Sequence, residues 1–152
     1  MKDLLKLLKK FLKLSVYEKK DYIEAYILTG FFRSYILFVP FNKLSKRMGR
    51  YNEESCDLVD KSTRLEAKRI SKIVRSVSKY TLWESLCLVQ ALTVQRMLKS
   101  KNICSTIYLG VSKDEENNII SHAWTRCGQD YITGGGNKDK FTVVAKFSNN
   151  FK

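Results

Sequence analysis

Two residues of this chain have the types and the setting to do covalent chemistry together, Cys87 and His122. Cys87 lies in the stretch from Tyr80 to Met97. There Thr81, followed three residues later by Glu84, matches a capping box, and Leu86, Val89, Leu92, Arg96 and Met97 recur at helical spacing. The pattern predicts a helix that begins near Thr81 and carries the thiol in its first turns. A thiol near a helix start feels the positive end of the peptide dipoles, which favours the thiolate, the nucleophilic form. Taken alone, Cys87 fits a packed core better than a nucleophile. His122, the one histidine of the chain, changes the balance. It sits in Ile119–Arg126, which alternates as a strand does, and a helix-borne cysteine with a strand-borne histidine supplies a nucleophile and its base.

The elements that must position this pair read as follows. Met1–Leu14 sets Leu4, Leu5, Leu8, Phe11 and Leu12 on one face and lysines on the other, a basic amphipathic helix that either lies on a membrane or packs on its own domain. Ser15 and Glu18 form a second capping box, and a helix from Val16 to about Val39 follows until Pro40 stops it. Glu24 and Arg33 interrupt its apolar run and Gly30 offers a close-packing point, so burial in a core or against a partner is favoured over a membrane span. Phe41–Asn52 reads as a basic loop, and Glu53–Ser78 as a helix with Leu58, Leu65, Ile70, Ile73, Val74 and Val77 as its apolar positions. After Lys99–Asn102 the period changes to two, which predicts strands over Ser105–Val111, Ile119–Arg126, Asp130–Ile132 and Phe141–Phe147. Gly128-Gln129 is a tight turn and Thr133–Asn137 a loop. Helices first and antiparallel strands afterwards predict an α+β fold. The 152 residues suit one domain, with a helical part over residues 1–78 and a core over 79–152.

Lysine and arginine number 28 against 15 acidic residues, a net charge of +13 that suits an acidic partner: nucleic acid, an anionic membrane or an acidic protein. The lysines are spread through every segment without a stripe, which a plain basic surface explains equally well. Cys56, Cys87, Cys104 and Cys127 form no CxxC pair and follow no signal peptide, so neither a disulfide framework nor a zinc site is expected. No cofactor is expected either, and the compartment reads as reducing and cytoplasmic.

Trp83, Cys87-Leu88-Val89-Gln90-Ala91-Leu92, Leu109-Gly110-Val111, His122-Ala123-Trp124, Thr133-Gly134-Gly135 and Phe141-Thr142-Val143-Val144 follow one another in an order that resembles the transglutaminase-like leader peptidase of lasso-peptide biosynthesis. Glu24-Ala25 and Phe38-Val39-Pro40-Phe41 extend the resemblance over nearly the whole chain. It implies a papain-like or transglutaminase-like core in which a Cys-bearing helix packs on an antiparallel sheet. The activity it implies is a cysteine protease that cuts the leader from a ribosomally made precursor peptide. Because no segment long enough for a recognition module precedes the peptidase region, the resemblance points to the split form. Its partners would be a separate leader-recognition protein, the precursor peptide and an ATP-dependent lasso cyclase.

In these terms Cys87 is the nucleophile, His122 its base, and Trp83 and Trp124 wall the substrate site, with core packing an equal reading for Trp124. Relatives carry an aspartate on the strand after His-Ala-Trp. Here a two-residue turn at Gly128-Gln129 would set Cys127 opposite Asp130 and His122 opposite Gly135, leaving Asp130 about 13–16 Å along the strand. Asp130 is the named candidate for orienting His122, with Thr133, a backbone carbonyl and Asp139 as alternatives. Two other functions compete. One is acyl transfer to an amine at the same site. The other is a basic adaptor for nucleic acid or anionic membrane, disfavoured because the aromatic residues sit at helix-core spacing.

Overall fold

The computed structural model describes Lys9 and residues 11–151. Most of the amphipathic helix expected over Met1–Leu14 lies outside the described residues; of its apolar face, Phe11 meets Tyr22 edge-on, with ring centroids 6.2 Å apart. Helix α1 (Val16–Phe38) begins where the sequence sets its capping box, with Ser15 and Glu18 satisfying each other's backbone N–H, and it ends before Pro40. Its buried positions, Asp21, Ala25, Thr29 and Phe32, recur at helical spacing and face helices α3 and α4, described next. No helix among the described residues is long and apolar enough to cross a membrane.

The stretch expected as a basic loop holds a short helix, α2 (Phe41–Ser45), and a two-residue strand, β1 (Arg50–Tyr51). Helix α3 (Lys61–Ser78) starts later than the apolar pattern suggests, because Asp60 caps it by accepting the Thr63 N–H. The preceding residues are drawn to the sheet instead. The Ser55 N–H donates to Thr106 Oγ1 at 2.8 Å, and the buried Arg126 guanidinium binds Glu54, Asp57 and the carbonyl of Ser55. Helix α4 (Cys87–Ser100) follows.

Strands β2 (Thr106–Lys113), β3 (Ile119–Cys127), β4 (Asp130–Thr133) and β5 (Thr142–Ser148) complete an antiparallel sheet in the order β1-β5-β2-β3-β4. A 3₁₀ turn, Gly135–Lys140, joins β4 to β5. N-terminal helices packed on an antiparallel sheet make the α+β fold that the sequence predicts.

One apolar cluster joins α1, α3 and α4 through Ala25, Ile70, Val74, Val94 and Met97, and reaches the sheet at Cys127 and Ile132. The other lies between α4 and the sheet, with Leu92, Ile107, Ala123 and Phe147 at its centre. Asp21 of α1, Glu66 and Arg69 of α3 and Lys101 after α4 form a charge network that clamps the three helices together.

Candidate active site

Cys87 is the first residue of α4, with Leu86 at the cap position, and no side chain caps this helix. The first intrahelical bond is donated by the Gln90 N–H to the Leu86 carbonyl at 3.0 Å. The N–H groups of Cys87, Leu88 and Val89 therefore lack intrahelical acceptors and converge at the helix start. The capping box expected at Thr81 and Glu84 does not form. Glu84 pairs with Arg33 of α1 at 2.7 Å, while Thr81 Oγ1 donates to the Trp83 carbonyl at 2.8 Å and so tightens a loop. The Gln90 side-chain amide donates to the Ser85 carbonyl at 2.7 Å, bracing the loop that delivers Cys87.

The thiol is half-buried against the apolar cluster that contains Ala123, the residue after His122. Cys87 and Gln90, three apart, lie on one side of α4, and Gln90 shares an open cleft of about 610 Å³ with His122. Arg75, Thr133, Gly134 and Asn137 are among its other walls. All four cysteines are free. Burial pushes the Cys127 thiol up to about 11 and raises that of Cys56, which keeps both protonated at neutral pH.

His122 Nε2 lies 2.7 Å from the carbonyl oxygen of Gly134. A carbonyl can only accept, so Nε2 carries the proton and Nδ1 of the neutral ring keeps its lone pair. The ring is held between Phe141, 5.0 Å away between centroids, and Trp124 at 5.8 Å. Gly110, the cross-strand partner of His122, admits this packing: a Cβ there would meet the Trp124 ring at 2.7 Å and Phe141 Cβ at 2.8 Å. Gly134 has φ 68° and lies against Ala123 and Trp124, so its close approach to β3 also depends on having no side chain.

Asp130 does not orient His122. It pairs across the turn with Cys127 and lines the far end of the cleft, where its carboxylate binds Arg64, with Oδ1 2.8 Å from Nη2, and Lys68 at 3.0 Å. The hydrogen bond from Arg64 holds this carboxyl below the usual range, as expected of a committed ion pair. The register shifts by one residue between Thr125 and Arg126 and β4 ends at Thr133, so the expected strand pairing of His122 with Gly135 does not form, and the imidazole meets the carbonyl of Gly134, just past the strand end, instead. Asp139 pairs with Lys138 and is 85% exposed, and Thr133 pairs with Thr125.

Trp83 packs on α1, where its ring lies 2.9 Å from the position of a Cβ on Gly30 and 5.0 Å from the Tyr26 ring. It thus fixes the loop before Cys87 and does not line the cleft. Trp124 is 2% exposed and stacks on both Tyr108 and His122, so it backs the imidazole as a core residue. No motif or spacing in the sequence singles out Gly110, Phe141, Gln90 or Arg75 for these places at the site. A glycine inside a strand, as at Gly110, was the available signal of a close approach.

No curated protein and no solved structure matches the chain. The sequence model of the transglutaminase-like superfamily matches residues 35–146, well over half of the chain and the whole stretch from the end of α1 to β5 that holds Cys87, His122 and the Gly134 turn. With that span matched, the chain belongs to the transglutaminase-like superfamily.

Proposed function

We propose that this chain is a cysteine peptidase that removes the leader from a lasso-peptide precursor, which a separate leader-recognition protein delivers, and that an ATP-dependent cyclase then acts on the freed core. The observation that carries the chemistry is the Nε2–H bond of His122 to the Gly134 carbonyl, which leaves Nδ1 free as a base at the cleft bordered by the first turn of the Cys87 helix. Nδ1 takes the proton of the Cys87 thiol, and the sulfur attacks the scissile carbonyl to form a C–S bond. The uncapped N–H groups of Cys87, Leu88 and Val89 are the available donors to the resulting oxyanion, a contribution of about 3 kcal/mol per well-placed donor. The C–N bond then breaks as the imidazolium gives its proton to the leaving amine. Water, activated by His122, releases the acid from the thioester. An open cleft admits that water, which favours hydrolysis over transfer of the acyl group to an amine.

Mass spectrometry of a leader-containing precursor mixed with this protein and the encoded recognition partner tests the reading. A leader fragment with a free carboxylate is expected with the native protein and absent with Cys87→Ala and with His122→Ala. Persistence of the fragment in either variant would sink the assignment. An adduct in place of the acid when an amine is added would make the chain an acyltransferase instead.

A further inference from the structure

On the flank of α4 away from the cleft lies a groove of about 510 Å³, floored by Ile27 and Phe31 of α1 and Leu92 of α4. Ile27 is 62% exposed and Phe31 44%, and with Ile23 one turn earlier they form an apolar stripe along α1 that nothing in the described chain covers. The groove is rimmed by Lys46, Arg47, Arg96 and Lys99 and by no acidic residue. All four cations are exposed, and none makes an ion pair among the described residues. The guanidinium of Arg47 is held 4.9 Å above the Tyr35 ring, so that charge has a fixed place on the rim.

We infer that this groove docks an acidic amphipathic helix from a separate protein, its apolar stripe on Ile27 and Phe31 and its carboxylates on the four cations. Charge selects this occupant. A second copy of the chain would bring the same four cations within a net charge of +13 of its own. A flat bilayer would leave a concave floor between two helices unfilled, whereas a helix about 10 Å wide presents a ridge that enters it. At about 100° per residue, Arg96 and Lys99 lie some 120° or more around α4 from Gln90, so a helix seated here leaves the His122 cleft open. This docking goes beyond the peptidase reading and is read by binding alone, so either can fail without the other.

The test is fluorescence anisotropy of a labelled helical peptide of about 18 residues, roughly five turns, with leucines at helical spacing flanked by glutamates. Controls are the same peptide with lysine for glutamate, a scrambled peptide of equal composition, and vesicles of phosphatidylcholine with phosphatidylglycerol. The glutamate peptide should bind the native protein more weakly as salt rises. Phe31→Ser and the double variant Arg96→Glu with Lys99→Glu should each weaken it roughly tenfold or more. The lysine peptide should gain affinity for the double variant, a gain that an unfolded protein would not produce. Equal binding of the scrambled peptide, or no change in either variant, would overturn the proposal. So would vesicle binding lost in the same variants when the peptide does not bind, or a dimer abolished by Phe31→Ser.

Discussion

His122 is oriented by a group that has no side chain. A carboxylate in the Gly134 position would fix the ring and also attract the charge that develops on it; a carbonyl fixes the ring and attracts that charge less. Alignment then rests on the backbone of one residue with φ 68°, where a Cβ would come within 2.5 Å of the Ala123 carbonyl oxygen. Gly134→Ala should therefore shift the carbonyl off Nε2 and lower the turnover of the proposed cleavage by about tenfold to a hundredfold, with KM little changed, in steady-state kinetics. The thiols separate in a second way. With its thiol pushed up to about 11 and only 1% of the residue exposed, Cys127 should be the slowest of the four to alkylate in the folded protein. Mapping iodoacetamide adducts over time by mass spectrometry checks this, and early labelling of Cys127 would contradict its burial. As candidates, Cys87 and His122 stand out in the sequence because a cysteine near a predicted helix start and the one histidine of the chain are chemically specific. A backbone carbonyl stood among the alternatives, but which one was not legible, since every residue has one, and Asp130 drew attention as the carboxylate on the following strand although Arg64 and Lys68 hold it elsewhere.

Element boundaries were legible where a local signal was also the one used. Ser15 with Glu18 caps α1 by contacts within three residues; Asp60 caps α3 just as locally, but the apolar pattern extends the expected helix back to Glu53 and hides that start. Thr81 with Glu84 carries the same local signal, yet Glu84 reaches Arg33, 51 positions away, and α4 begins at Cys87 with bare N–H groups. That loss of a cap is what leaves donors free at the proposed nucleophile. Glu53–Asp60 escaped a helical fate in the same manner, through Arg126 and Thr106 on distant strands. The helices are also tied by charge, and the tie has a pH signature. Hydrogen bonding to Arg69, chiefly, holds the Glu66 carboxyl at about 2 against its ordinary 4.5. Because the folded value is the lower one, the carboxylate's contribution is complete above about pH 4.5 and is lost as pH falls towards 2. Glu66→Gln should cost about 1 kcal/mol at neutral pH once solvent screening is allowed for, a fall of about 2–4 °C in Tm. The gap between variant and native protein should close in thermal melts recorded towards pH 2, and an equal gap at every pH would mean that Glu66 acts through packing.

At the scale of the molecule, the order of helices and then antiparallel strands was legible, as was the meander β2-β3-β4, whose partners are neighbours in sequence. The place of β5 was not. It enters between β1 and β2, against a strand formed near residue 50, and no local pattern encodes a pairing across that separation. The superfamily match poses a related question, because it begins at residue 35 and leaves most of α1 outside. That outer part is not an appendage. Ala25 and Thr29 are wholly buried, Ala25 belongs to the cluster of Ile70, Val74 and Met97, and Asp21 joins the charge clamp with Arg69 and Lys101. Removing it would bare one side of α3 and α4 and leave Arg69 without a buried partner, a loss of the kind that exceeds the margin of most domains of this size. A chain that starts at Tyr35 should therefore show no cooperative thermal transition and should bind a dye that reports exposed apolar surface. A truncated chain that melts cooperatively near the native temperature would mean that the matched stretch folds alone and that α1 only decorates it.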